Sequence, residues 1–109
     1  MEMWTALRRK ESEGLLSPGE ARMSLAKFDS GAARGCWRFV ILTDAVRANF
    51  ERVVEQCCSR TPPVFIRTLD ALHIASASAV AETEIVATDR RLRAAATLLG
   101  FQLFPPILP

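Results

Sequence analysis

The feature that most constrains the fold is a pair of short apolar runs in the last third of the chain, Glu84–Ala87 and Phe101–Phe104. Thr88 and Asp89 follow the first run and are typical N-cap residues, while Gly100 precedes the second and is typical of a helix end. The sequence therefore predicts strand, helix and strand in succession. This order favours two parallel strands joined by a helical crossover, and hence an α/β fold.

A third apolar run, Arg38–Leu42, is rich in β-branched residues and predicts another buried strand. The first half of the chain is otherwise expected to be helical. A helix is predicted over residues 3–14, and Ser17 with Glu20 predicts a second helix start through a capping box. Further helices are predicted after Thr43-Asp44 and over Leu69–Ala81, the latter rich in alanine and expected to be largely buried.

The composition limits the class of protein. The 109 residues are 50% hydrophobic and 24% charged, which is typical of one globular domain covering residues 1–109. No run of 18 apolar residues is present, so no membrane span is expected. The three cysteines have neither disulfide-scaffold nor zinc-site spacing, which favours a reducing, cytoplasmic setting. The net charge of +2 excludes a strongly basic nucleic-acid binder but leaves room for a local basic patch.

Two aspartates lie at positions where α/β folds usually carry their functional residues. Asp89 directly follows a predicted strand, and Asp70 falls in the first turn of a mostly apolar helix. Strand ends and helix N-termini meet at one crevice in such sheets, and converging carboxylates suit Mg²⁺ or Mn²⁺. The alternative for Asp89 is a simple helix cap, and for Asp70 a partner of the helix dipole.

Other polar and aromatic residues carry weaker signals. Glu2 has no signal of its own. His73 lies one turn after Asp70 but has no second histidine, so we expect a packed or rim position rather than a metal ligand. At least two of Arg90, Arg91 and Arg93 are expected on a solvated helix face. Cys57 is expected in the core beside a rim Cys58, and Trp4 and Trp37 are expected to pack.

Two segments together resemble a known family. RTLDALHIASA, from Arg67 to Ala77, is followed by IVATDRRLRAAATLLGFQLF, from Ile85 to Phe104. This combination resembles the C-terminal half of PIN-domain ribonucleases, and among them the VapC toxins of bacterial toxin–antitoxin pairs. EMWTALRRKESEGLLSPGEA, from Glu2 to Ala21, is similar to the helix pair that precedes it in the family.

The resemblance implies a PIN-like three-layer fold with a short parallel sheet. It also implies that Asp70, Asp89 and Glu2 are metal ligands and catalytic acids that hold Mg²⁺ or Mn²⁺ for RNA hydrolysis. Thr88 is similar to a threonine of the family near the same strand end, although Ala87 stands at the more usual position. The family further implies an RNA substrate, a small antitoxin protein as partner and a homodimer.

The resemblance begins at the glutamate helix. The family's first strand, which supplies a further aspartate, and its second strand have no counterpart in this sequence. We therefore expect a VapC-like endoribonuclease that is weakened or inactive in this form. The alternative is a non-catalytic module that binds an antitoxin or dimerises. Asp70→Asn distinguishes these interpretations, since it would affect metal binding but not partner affinity.

Overall fold

The computed structural model describes residues 2–108, apart from the side chain of Glu2. Contacts divide the chain into two compact units, one up to Phe39 and one from Val40 onward. The first unit contains helices α1 (Glu2–Ser12) and α2 (Glu20–Ala33). The second unit contains α3 (Asp44–Cys58), α4 (Thr68–Ala79), β1 (Glu84–Val86), α5 (Arg90–Leu98) and β2 (Gln102–Phe104).

In the first unit, the connection between α1 and α2 follows the sequence signals only in part. Gly14 ends α1 with φ of +80°, as predicted. The second helix begins at Glu20 rather than directly after the predicted cap Ser17, because Gly19 adopts φ of +85° and interrupts the helix there. Half of the predicted capping box is present, since the Ser17 N–H donates to the Glu20 carboxylate at 2.7 Å.

The C-terminal part of α2 is shaped by an aromatic contact. The helix continues past Gly31 to Ala33. Trp37 stacks on Phe28 with ring centroids 4.9 Å apart. A Cβ atom at Gly31 would lie only 2.3 Å from a ring carbon of Trp37. The glycine therefore lets the indole approach the helix backbone, and the predicted packing role of Trp37 is confirmed.

In the second unit, β1 and β2 pair in parallel, with Ile85 opposite Leu103 and Val86 opposite Phe104. Side chains alternate between the two faces of a strand, so Ile85 and Leu103 share the face toward the core. Ile85 is buried, and Leu103 packs against the same cluster. The predicted strand–helix–strand crossover is thus confirmed. The buried cluster combines residues from α3, α4, α5 and the first strand: Val53, Cys57, Ala71, Ile74, Ile85, Ala87, Leu92, Ala95 and Ala96.

The predicted strand over Arg38–Leu42 is wrong. These residues form no regular element, and Ile41 and Leu42 are each 72% exposed. A strand needs a neighbour to satisfy its backbone groups, and the sheet within residues 2–108 has only β1 and β2. The fold is therefore mixed α/β and mostly helical, with two strands instead of the three expected.

The described part of the chain has no helix that is long and apolar enough to cross a membrane.

Candidate functional site

The two predicted acidic residues lie at the N-termini of neighbouring elements of the second unit. Asp70 is in the first turn of α4 and is only 8% exposed. Asp89 is the N-cap of α5, where its Oδ1 accepts a hydrogen bond of 2.9 Å from the Leu92 N–H. The capping function expected as the alternative for Asp89 is thus present. It occupies one carboxylate oxygen and leaves Oδ2 for other contacts.

One arginine joins the two acids. The Nε of Arg67 donates to Asp70 Oδ2 at 3.0 Å, and its Nη2 donates to Asp89 Oδ2 at 3.4 Å. The two carboxylates therefore converge on a single guanidinium group, although they are 19 positions apart in the sequence. The side chain of Arg67 is 59% exposed, so solvent screens both ion pairs.

Arg67 was not among the predicted site residues. The available signal was its spacing from Asp70, since a basic residue three positions from an acid on one helical turn commonly pairs with it. Its second contact, with Asp89, depends on the tertiary arrangement and has no local signal.

The surroundings of Asp89 favour its charged form. Its pKa is lowered first by the hydrogen bond from the Leu92 N–H, against a partial opposing effect of desolvation. The positive charge of Arg67 lowers the pKa further, and Arg91 adds a smaller contribution. Asp89 is therefore a carboxylate at neutral pH, as a metal ligand or a salt-bridge partner must be.

The set of possible metal ligands around Arg67 is small. Within the described residues, no group of three or more His, Cys, Asp or Glu side chains is arranged to hold a metal ion. The third predicted ligand, Glu2, lies outside the described side chains. Two carboxylates are still enough for Mg²⁺ when water and substrate phosphates supply the remaining ligands. Asp70 and Asp89 fit this limited role, with Arg67 as their resident counter-ion.

The other predicted polar residues take different positions. His73 is exposed, which agrees with a rim position. Arg90 and Arg91 are exposed, as expected of a solvated face, whereas Arg93 is 9% exposed. The guanidinium of Arg93 donates to the Ala87 carbonyl at 2.8 Å and to the Pro106 carbonyl at 3.2 Å. It therefore ties the end of β1 to the segment after β2.

The cysteines follow the prediction. Cys57 is buried, Cys58 is exposed, and both are free thiols. Burial is the main cause that raises the pKa of Cys57, and the neighbouring Cys58 raises it further. A raised pKa keeps the thiol protonated and unreactive at neutral pH, so Cys57 is a packing residue.

Comparisons with protein-family models, with curated proteins and with solved structures find no match to this chain. The resemblance to PIN-domain ribonucleases therefore stays a prediction that depends on the quoted motifs.

Proposed function

We propose that this chain is a PIN-like, VapC-type ribonuclease module whose metal site is weak. The single observation that supports the proposal is the convergence of Asp70 and Asp89 on one guanidinium group. These are the acids that the motif resemblance assigns to Mg²⁺ or Mn²⁺. A position between two carboxylates that attracts one cation is electrostatically suited to another.

Each residue would have a distinct part in RNA hydrolysis. A bound Mg²⁺ would activate a water molecule and stabilise the phosphate of the RNA backbone. Asp70 would anchor the ion from a largely buried position. Asp89 would contribute one oxygen while its other oxygen holds the start of α5. Glu2 would be a further acid, as the resemblance implies.

The proposal predicts low activity. Divalent-cation sites depend on the number and charge of their oxygen ligands, and among the described side chains no group of three or more such ligands is arranged around an ion site. Arg67 must also leave the carboxylates of Asp70 and Asp89 before an ion can bind both of them. We therefore expect little or no cleavage of single-stranded RNA, and Mn²⁺-dependent cleavage at an ordinary enzyme rate would refute the expectation of a weak site.

Calorimetric titration with Mn²⁺ tests the site directly. The parent chain should bind weakly, and Asp70→Asn should abolish binding. Arg67→Met should strengthen it up to about tenfold, because it removes two screened but competing ion pairs. Asp44→Asn is the control, since Asp44 is also an acid in the first turn of a helix but is exposed. Equal effects of Asp70→Asn and Asp44→Asn in folded variants would refute the metal site.

The second candidate function is partner binding, and the exposed face of the sheet favours it. Val86 and Phe104 lie side by side on this face and are 74% and 54% exposed. Parallel sheets are almost always covered on both faces. The partner would be a small antitoxin-like protein or a second copy of this chain, as the resemblance implies.

Sedimentation equilibrium distinguishes this function from catalysis. If the sheet face binds a second copy, the chain should dimerise and Val86→Lys should weaken the dimer at least tenfold, whereas Asp70→Asn should leave it unchanged. If the chain is a monomer and also does not bind a co-expressed antitoxin, this candidate function is eliminated. Loss of association in both variants would indicate a folding defect, which circular dichroism detects.

A further inference from the structure

A cleft in the first unit combines aromatic and cationic side chains. It lies between α1 and α2 and has a volume of about 540 Å³, within the usual range for small-ligand sites. Trp4, Arg8 and Glu11 line it from α1, and Arg22 and Met23 line it from α2. Trp4 was expected only to pack, but it is half-buried and borders this open space.

Two guanidinium groups lie close to the indole ring. The central guanidinium carbon of Arg22 lies 5.2 Å from the ring centroid of Trp4, and that of Arg8 lies 5.9 Å from it. Both distances are within cation–π range. An aromatic ring in contact with two arginines is therefore the chemical centre of the cleft.

The two arginines of the cleft differ in whether an acidic side chain pairs with them. Arg8 forms an ion pair with Glu11, and Glu11 also accepts a hydrogen bond of 3.3 Å from the Ala21 N–H. Arg22 has no ion pair with any side chain that the structure describes, and its guanidinium group lies over the ring of Trp4. The cleft consequently carries one positive charge that an anion can neutralise.

The distribution of charge along the chain agrees with an anionic ligand. Residues 1–39 contain seven Lys and Arg against five Asp and Glu, whereas residues 40–109 contain seven of each. The whole net charge of +2 therefore belongs to the first unit. A local basic patch of this kind was the one form of nucleic-acid contact that the composition allowed.

We propose that this cleft binds one nucleotide unit of a single-stranded nucleic acid. Nucleobases stack on aromatic rings and on arginine planes, and guanidinium groups pair with phosphate. Trp4 and Arg8 would contact the base, Met23 would provide an apolar wall, and Arg22 would bind the phosphate. An acidic peptide would use Arg22 but not the ring, so a nucleotide fits the combination better. RNA as the natural strand depends on the proposed ribonuclease function, whereas the cleft requires only a base and a phosphate.

Fluorescence anisotropy with a labelled 12-nucleotide single-stranded DNA in EDTA tests the cleft without cleavage. Arg22→Ala should weaken binding about five- to tenfold and reduce the dependence of affinity on salt, by about 0.7 in the log–log slope for one lost phosphate contact. Arg9→Ala is the matched control, because Arg9 is exposed on α1 and does not line the cleft. It should change affinity less than about twofold. Equal losses in both variants would mean general electrostatic attraction and would overturn the proposal.

The emission of Trp4 gives a second, independent readout in a Trp37→Phe background. The oligonucleotide should quench this emission with the same midpoint as the anisotropy change. Quenching by oligoglutamate at the same concentrations would overturn the choice of ligand, and no quenching at saturating oligonucleotide would overturn the site. Because no metal is present, these outcomes are separate from the Mn²⁺ titration of Asp70, and either proposal can fail alone.

Discussion

The two units differ in what their interiors are made of. In the first, the buried residues among positions 3–39 are Ala21 and Gly31, which together have a single methyl group as side chain. The second unit buries a nine-residue cluster that includes Ile74, Ile85 and Leu92. Because hydrophobic stabilisation scales with the apolar area removed from water, the second unit should contribute most of the folding free energy. The first unit instead has a contact between the rings of Trp37 and Phe28 and leaves an aromatic cleft open to ligands.

The second unit also buries charge, which the described side chains of the first do not. Asp70 and Arg93 are each less than a tenth exposed. Each has specific partners, a guanidinium for Asp70 and two carbonyls for Arg93. Buried polar groups are tolerated only when they are satisfied, so these contacts fix the geometry around the candidate site. Buried, hydrogen-bonded charges and the candidate metal ligands therefore occur together in the second unit.

The largest expected effect comes from the core of the second unit. Ile74 is completely buried, so Ile74→Ala should lower the free energy of unfolding by about 2–5 kcal/mol through lost burial and a residual cavity. Urea denaturation measures the change. The control is Leu69→Ala on the same helix, where the side chain is 56% exposed and the loss should stay below about 1 kcal/mol. Similar losses in both variants would contradict the assignment of the core.

Replacing Arg93, which donates to the carbonyls of Ala87 and Pro106, should give the next largest loss of stability. Arg93→Met keeps much of the side-chain volume but removes both hydrogen bonds, and the carbonyl of the buried residue Ala87 loses its guanidinium partner. We expect a loss of about 1–3 kcal/mol. Arg91→Met removes the same charge from an exposed position on the same helix and should change stability by less than about 0.5 kcal/mol. If Arg93→Met leaves the free energy of unfolding unchanged, water replaces the guanidinium without cost.

Local sequence signals predicted the elements of the second unit well, because a helix cap depends on residues that are only a few positions apart. Thr43 and Asp89 each cap the helix that the sequence assigned to them, through hydrogen bonds to the N–H groups of Val46 and Leu92. Two short apolar runs next to such caps can form strands when they lie side by side and pair. The runs at β1 and β2 meet each other, and the run over Arg38–Leu42 meets no strand in residues 2–108.

The parts of the molecule that sequence reasoning missed are those that depend on tertiary contacts. Arg67 reaches Asp89 only because α4 and α5 begin near one another, and Trp4 borders a cleft only because α1 and α2 pair. Gly19 looked like part of a helix start, but its left-handed conformation was not encoded in the Ser17–Glu20 pattern. The spacing of residues along the chain cannot predict such tertiary contacts.

In the first unit, Gly31→Ala tests how far stability depends on one aromatic contact. The added methyl group would overlap the ring of Trp37, at a cost of about 1–3 kcal/mol that the better helix propensity of alanine offsets by up to about 1 kcal/mol. Thermal unfolding followed by tryptophan emission in a Trp4→Phe background measures the net loss. In a Trp37→Leu background the same change should become neutral or stabilising. A loss that persists without Trp37 would show that the ring does not set the requirement for glycine.

The smallest expected effect is the titration of Asp89, which probes the electrostatics of the candidate site. The folded pKa lies below the ordinary aspartate value of about 3.9, so the charged form stabilises the fold above that pH. This contribution is lost as the pH falls through the lowered pKa. Asp89→Asn should therefore flatten the acid side of the stability profile.

Carboxyl NMR titration can separate the causes of this lowered pKa. Arg67→Met should raise the pKa of Asp89 only part of the way toward its ordinary value, because the Leu92 N–H bond is the larger cause and remains. Arg91→Met should raise it less, since its charge contributes less than that of Arg67. Full recovery of the ordinary value in Arg67→Met would make the ion pair, rather than the helix cap, the dominant interaction. The carboxylate would then depend on its counter-ion, and a divalent ion would have to replace Arg67 to keep Asp89 charged in the same pH range.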